Sequence, residues 1–586
     1  MSATLETDVL IVGSGPAGGS MGVFLSRYGI DHVIVSKYGW TANTPRAHIT
    51  NQRTVEILRD EGLEEEVKLY GTPQDMMGDT VFCTSLAGEE FARLHTWGTH
   101  PTRQAEYTLA SPSIFYDLPQ TYMEPILIRA AGSRGSKLRF NTEYISMVQD
   151  DDGVTATVLD RTTGERYEIR AKYLIGADGG RSRVADQAGL PMEGQMDLAG
   201  SMNIVFRADL SEYVEHRPSV LYWVLQPGSA IGGIGLGLVR MVRPWDEWLI
   251  VWGYDIEVGP PELTEADAEQ IVRNLIGDQE IPIEILSTSL WTNNRMWASR
   301  YSEGRVHCMG DACHRHPPSN GLGSNTSIQD AYNLAWKLAL VLQGKADPAL
   351  LDSYDAERAP VGEQIVKRAN LSIDEYGPIF EALGLLDKGA DDAQIRANME
   401  ARKEATPEAA DQRRKLKEAI EGKNYEFNAH GVEMNHRYRS GAVVEDGSPE
   451  PAFDRDKELY YHPTTWPGAR LPHCWLEHGG KKVSTHDLAG KGRFALLTCI
   501  GGEAWVEAVE AVAARTGVEI AAYVIGPGRE VSDTYDDWAR LREVEEDGCV
   551  LVRPDMHVAW RSAELPDDPT KNLEVAMTSL LTGGKA

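Results

Sequence analysis

The stretch GRVHCMGDACHRHPPSNGLGSNTSIQDAYNLAWKLAL, Gly304–Leu340, decides the architecture. Val306, Cys308 and Met309 form a short apolar run of strand type, closed by Gly310-Asp311. Pro317, Pro318, Gly321 and Gly323 disfavour regular structure and let a ligand approach the main chain. From Ser327 onward, Ile328, Ala331, Tyr332, Leu334, Ala335 and Leu338 recur at helical spacing. A strand, a glycine-rich turn and a helix in that order aim backbone N–H groups at one point, which suits an electron-rich ligand. The acidic Asp311 at the strand's end can accept hydrogen bonds from ligand hydroxyls.

A second unit of the same kind opens the chain. Asp8-Val9-Leu10-Ile11-Val12 reads as a buried strand, and Gly13-Ser14-Gly15-Pro16-Ala17-Gly18 follows at once. Gly13 permits the tight turn, Gly15 the approach of a pyrophosphate, and Gly18 close packing of helix on strand. The helical pattern Met21, Phe24, Leu25 and the strand His32 to Val35 arrive on schedule for a dinucleotide fold. Ser36 and Lys37 stand where an acidic residue would hold the ribose: a serine hydroxyl can still bond a ribose oxygen, and a lysine can meet a phosphate.

Together, GDACH and the following G-x-G-x-N-T-x-I-Q-D-A-x-N-L-A-W-K-L resemble the second FAD motif of the class A flavin-dependent aromatic hydroxylases. The run YLIGADGGRSR, Tyr173–Arg183, resembles that family's DG motif, in which the counterpart of Asp178 serves both FAD and nicotinamide binding. The type most similar is the phenol hydroxylase and 2,4-dichlorophenol 6-monooxygenase type. The resemblance implies FAD held by Gly13, Gly15, Pro16, Ala17, Gly18, Ser36, Lys37, Arg46, Gln120, Asp178, Asp311, Pro318, Gly323, Ser324 and Asn325. Gln120 belongs to a Q-x-x-x-E pattern with Glu124 and would face the cofactor, and Arg46 would approach the flavin and its phosphates. Pro318 would turn its carbonyl to the substrate, and main-chain donors near Asn325 would stabilise charge on the reduced ring. Aligning R-T-V-E, Arg53–Glu56, with the corresponding helix of phenol hydroxylases puts His48 at a phenol-facing position, where it could take a phenolic proton; a satisfied structural histidine is the other reading.

The implied architecture is α/β, or mixed α+β: a Rossmann-like FAD-binding domain at 1–200 and 295–380, an inserted antiparallel substrate sheet at 201–294, a helical connector at 381–450, and a thioredoxin-like domain at 451–586. In the sheet, Tyr222, Trp223 and Trp291 are candidate substrate linings, although aromatic residues there also serve as ordinary core. Arg240 and Arg243 could hold a phenolate charge, but are expected at the surface. Thr44–Leu63 reads as a polar loop followed by an amphipathic helix. The C-terminal domain has no CxxC, so an assembly or packing role is expected rather than redox work.

Composition narrows the partners. The net charge of −30 argues against nucleic acid or an anionic membrane as the main partner. Six cysteines without paired spacing read as reduced cytoplasmic thiols. The histidines beside Cys308 and Cys313 lack the second cluster that a closed metal site needs, so no metal is expected. No signal peptide is expected, because Val9–Leu25 is glycine-rich and follows acidic residues, and no membrane span, because no uninterrupted apolar run reaches the about 18 residues that one needs. The expected activity is ortho hydroxylation of a phenol, with NADPH or NADH as reductant and O2 adding at the flavin C4a as a hydroperoxide, in a cytoplasmic homo-oligomer, dimer or tetramer. A non-catalytic flavin-fold carrier and a flavin-dependent halogenase are the alternatives; no W-x-W-x-I-P motif supports the second.

Overall fold

The computed structural model describes residues 4–227, 236–386 and 390–585; residues 228–235, within the expected sheet, and 387–389, within the expected connector, lie outside the described residues. β1 (Leu5–Val12), α1 (Pro16–Arg27) and β2 (His32–Val35) form the first β-α-β unit. β1 pairs in parallel with β2 on one side and with β3 (Arg166–Gly176) on the other, and β3 pairs in parallel with β4 (Val306–Cys308). The apolar run Val9–Val12 is buried, as expected of a strand covered on both faces. The register aligns the ends: Val12 sits opposite both Val35 and Gly176, and Gly176 opposite Cys308. Four loops therefore leave one carboxyl edge side by side, the place where parallel sheets bind ligands.

The glycine-rich stretch of Gly304–Leu340 opens α3 (Gly323–Leu342), which packs directly on α1. α4 (Asp352–Asp374) follows it. The antiparallel hairpin expected at Asp150–Gly153 is present, joining Thr142–Asp150 to Gly153–Asp160, and its second strand extends the parallel sheet from β3.

A second eight-stranded sheet is built mainly from Met192–Arg207, Ser219–Val224, Leu236–Arg243, Glu247–Tyr254 and Glu284–Ala298. It also recruits the hairpin Asp79–Cys83 and Glu90–His95, and so draws on chain outside 201–294. Ser219–Val224 pairs in parallel with Asp79–Cys83, a contact between distant segments that no local periodicity announces.

The last domain runs strand Phe494–Cys499, helix Ala504–Thr516, strand Ile520–Ile525, hairpin Cys549–Val552 with Val558–Ser562, and helix Pro569–Leu581. The first two strands are parallel and the hairpin adds antiparallel to Phe494–Cys499, which is the thioredoxin-like order. Its core continues into the first domain through Trp336 of α3, which packs edge-on to Phe494 at 5.7 Å. All six cysteines are buried free thiols. Among the described residues no helix is long and apolar enough to cross a membrane.

The helix α2 (Gln52–Asp60) departs from the amphipathic expectation. Arg53, Glu56 and Asp60 are buried along with Val55 and Leu58, so its polar side is covered by protein instead of water.

Candidate active site

Three motifs converge at the carboxyl edge. A Cβ on Gly13, whose φ is +112°, would lie 2.1 Å from Ala177 O, so the first glycine packs directly on the chain entering Asp178. A Cβ on Gly310 would meet Ser327 Oγ at 2.8 Å and Ala17 Cβ at 3.2 Å, joining the other end of the site to α1. Neither α1 nor α3 has a side-chain cap, so their first N–H groups remain open at this edge. Asn51 and Ser182, by contrast, cap the helices that follow them.

FAD is the group these residues fit. The uncapped start of α1 at Gly15, Pro16, Ala17 and Gly18 suits a pyrophosphate, and a Cβ on Gly15 would meet only Glu124 Oε1, at 3.7 Å, which leaves the approach clear. Asp311 is exposed and its carboxylate has no partner among the described residues, as a ribityl-hydroxyl acceptor requires. The loop carrying it is stiffened from behind: Asp330 accepts from Gly310 N at 3.1 Å, His314 Nε2 at 2.9 Å and Arg358 Nε at 2.7 Å. Asp178 is already engaged, accepting from Ser182 Oγ at 2.5 Å and from Arg183 N and Val184 N at 2.8 and 3.2 Å, so its carboxylate shapes the loop. Gln120 Nε2 donates to Glu124 Oε1 at 2.5 Å, and Glu124 also accepts from Ala42 N at 2.6 Å. Ser36 is buried at the end of β2 with Lys37 exposed beside it, and Arg46 is exposed, its guanidinium without a hydrogen-bond partner among the described residues.

Asn325 joins the cofactor edge to the loop holding His48. Its Oδ1 accepts from Asn51 N at 3.1 Å, and its Nδ2 donates to Ile49 O at 2.8 Å and to Gly321 O at 2.6 Å. The side chain of Asn325 is therefore committed to the fold, leaving its main chain and that of Gly323 and Ser324 for a ligand. Pro318 is exposed at the opposite end of the same turn.

His48 Nδ1 lies 3.3 Å from Asp117 Oδ2. The pairing of Ile49 with Asp117 holds the two together, and Leu118 N donates to His48 O at 2.7 Å. Arg240 completes the group. The expectation of a surface residue is wrong: Arg240 is 2 % exposed, and its Nη1 donates to Pro45 O and, at 2.9 Å, to Arg46 O. Its Nε and Nη2, and Asp117 Oδ1, are buried without partners among the described residues. Burial, then the Arg240 charge, depress the His48 pKa, with Asp117 opposing both. Burial also lowers Arg240 itself to about 10. The result is a histidine kept neutral near pH 7 and oriented through Nδ1, leaving Nε2 to accept a proton. Arg243 is not a surface residue either: it is half-buried, its Nε donates to Tyr122 Oη at 3.0 Å and its guanidinium stacks on that ring.

The aromatic candidates are tied into the sheet. Tyr222 Oη bonds Ser219 N and Arg217 O, both at 3.0 Å, Trp223 Nε1 donates to Thr80 Oγ1 at 3.0 Å, and Trp291 Nε1 to Asn203 Oδ1 at 2.9 Å. Asp117 escaped sequence reasoning because a lone Tyr-Asp pair carries no pattern; the acidic residue acquires meaning only from the strand that brings it to His48.

A fold with two dinucleotide-type motifs at one sheet edge, an inserted antiparallel sheet and a thioredoxin-like end defines a flavin-dependent monooxygenase. The chain belongs to the flavin-dependent aromatic hydroxylases: the model of the FAD binding domain family matches residues 6–369, and that of the aromatic-ring hydroxylase C-terminal family matches 464–583. It is 55% identical to 2,4-dichlorophenol 6-monooxygenase of Delftia acidovorans over 99% of each chain. It is 52% identical to phenol 2-monooxygenase of Pseudomonas sp. (strain EST1001), over 99% of this chain and 93% of that one. Among solved structures, the flavin-dependent monooxygenase PieE in complex with FAD and substrate superposes with a TM-score of 0.95 at 45% identity, covering 99% of this chain and 100% of that one.

Proposed function

We propose that this monooxygenase hydroxylates a phenol ortho to its hydroxyl, with O2 and with NADPH or NADH as the reductant. The observation that carries the reading is the half-buried His48 paired with buried Asp117 beside buried Arg240, on the loop that Asn325 ties to the cofactor edge. Bound FAD supplies the reduction of O2 and the oxygen transfer. The protein's part is to draw the phenolic proton to His48 Nε2, making the ring electron-rich, while the Asp117 carboxylate and Arg240 guanidinium hold the loop and balance the charge. The main-chain donors at Gly323–Asn325 would favour negative charge on the reduced ring, and the Pro318 carbonyl would contact the phenol.

For the reductant, the supporting feature besides family membership is a cleft of about 470 Å³ next to Pro317, lined by Gln195, Asn293, Arg295, Asn370 and Asp374. Arg295 is exposed there without an ion-pair partner among the described residues, and Asn293 Oδ1 is buried and unbonded, a cation and an acceptor that suit a phosphate-bearing carboxamide. The buried free thiols support a reducing, cytoplasmic setting.

The test is a panel of substituted phenols assayed for substrate-stimulated NAD(P)H oxidation, with products identified. Ortho-hydroxylated products with stoichiometric NAD(P)H use are expected. Oxidation that no phenol stimulates, or halogenated products in the presence of halide, would refute the reading.

A further inference from the structure

α2 carries a polar stripe that the C-terminal domain reads. Arg53, Glu56, Arg59 and Asp60 recur at the three-to-four-residue spacing of one helical face, and every one of them meets that domain. Arg53 Nη2 donates to Asp555 O at 2.7 Å. Arg470 grips Glu56 with both Nε, at 3.0 Å, and Nη2. Arg59 Nε and Nη2 each donate to an oxygen of Asp487 at 2.9 Å, and Asp60 Oδ1 accepts from Lys491 N at 2.9 Å. Although burial pushes Glu56 up, Arg470 first and then His486 hold it well below the usual carboxylate range, so it remains charged.

The neighbouring helix is held by the same domain. Tyr332 Oη of α3 lies 2.9 Å from Asp60 Oδ2 and 3.1 Å from Pro554 O. Asn333 Nδ2 donates to Asp555 Oδ2 at 3.3 Å, and Lys337 Nζ to Glu357 Oε2 of α4 at 2.8 Å. Arg553 forks onto Glu357 at 2.6 and 2.9 Å and also binds Asp555, closing the network. At their opposite ends α2 and α3 meet through Asn51, two residues beyond Ile49, and Asn325. Glu56 lies five residues from Asn51, on the order of 7 Å along one helix.

We propose that the C-terminal domain is a clamp that sets the position of α2 against α3, with Arg470 and Arg553 as positioning residues for the His48 loop and the cofactor edge. A two-pronged guanidinium–carboxylate contact fixes rotation and register, whereas apolar packing of equal volume fixes only proximity. The domain does this without thiol chemistry: burial pushes the thiols of Cys474, Cys499 and Cys549 up, away from the reactive thiolate. The proposal rests on the reading of the 44–50 loop as catalytic.

Its test uses full-length, FAD-loaded protein carrying Arg470→Met, Arg470→Lys, or Glu56→Leu with Arg470→Met. Four quantities are measured: hydrogen exchange across residues 44–52, kcat against KM, product formed per NAD(P)H consumed, and the thermal midpoint. Arg470→Met is expected to raise exchange in that segment about tenfold or more and to lower product yield about twofold through kcat, with KM little changed; Arg470→Lys, lacking the fork, restores neither. The double variant removes the buried carboxylate together with its guanidinium partner and leaves Arg53 held by Asp555 O, so it recovers part of the midpoint but keeps the fast exchange and poor yield. Recovery of exchange and yield together with the midpoint in the double variant would overturn the clamp and reduce the pair to a stabilising contact, and the double variant decides this even if the single variant does not fold. Exchange is read without substrate, so a loosened loop in a protein inactive on every phenol upholds the clamp while refuting the phenol reading.

Discussion

His48 Nδ1 and Asp117 Oδ2 stand 3.3 Å apart because the strand residue after His48, Ile49, pairs with Asp117 itself. An ionised carboxylate has no hydrogen to give, so the imidazole carries its proton on Nδ1 and offers Nε2 as a base. The same arrangement explains why a histidine can work here: Arg240 and burial keep it neutral, and Asp117 keeps it oriented.

Replacing His48 with Ala is expected to lower kcat on a phenol by about 10²–10⁴, the range for loss of a general base, while FAD stays bound. Stopped-flow or steady-state rates against pH check this. In the wild type the acid limb lies below pH 6.5, since the His48 pKa is lowered from that value. Asp117→Asn removes a contribution that raises the pKa, so the limb moves further down. An unchanged pH profile with full coupling in His48→Ala would sink the assignment.

Arg240→Met removes the side chain that bonds both Pro45 O and Arg46 O. The 45–46 loop loosens, KM for the phenol rises about tenfold or more, and the acid limb moves up in pH because a nearby cation no longer depresses His48. Arg240→Lys shows the same KM defect, since one ammonium lacks the guanidinium's fixed fork. Initial rates across a range of phenol concentrations and pH give both quantities.

Asp311→Ala deletes a free carboxylate at the cofactor edge without disturbing a protein hydrogen bond. FAD affinity is expected to fall about 10- to 100-fold at unchanged thermal stability of the apoprotein, read by flavin-fluorescence titration. Gly13→Ala goes further, because its Cβ would sit 2.1 Å from Ala177 O; the purified protein should lack the flavin absorbance near the visible maximum.

Four buried histidines and the half-buried His436, at the seam with the C-terminal domain, make the fold sensitive to acid. Burial, the largest cause at each, lowers His430 and His436 to about 3, His473 to about 2, and His486 and His557 to about 4. Folded values below the unfolded 6.5 mean that the unfolded chain binds more protons in this window, so stability is full above pH 6.5 and is lost as pH falls toward the folded values. Each histidine costs on the order of 2 kcal/mol at pH 5. Denaturant midpoints at pH 7.5, 6 and 5 should fall steadily; a flat series would show that these histidines are solvated.

The cofactor half of this protein was legible from its residues. Gly13–Gly18, Asp178 and Gly310–Asn325 are contiguous motifs, each bounded by its own strand, and the backbone demands of a glycine turn and an open helix start are local requirements written locally. The strands, helices and hairpin of the C-terminal domain were legible for the same reason, since period and turn chemistry act over a few residues. What required the tertiary structure was every relation between distant polar groups. Asp117 is a partner of His48 only through a two-residue strand pairing, and Arg240 is a buried anchor although its surroundings, LVRMVRPW, read as a strand ending at the surface. The stripe Arg53–Glu56–Arg59–Asp60 reads as a solvated helix face, yet Arg470, Asp487 and Asp555 of another domain cover it. Charge alone does not say whether water or a counter-ion will solvate it, and only the packing of the domains decides.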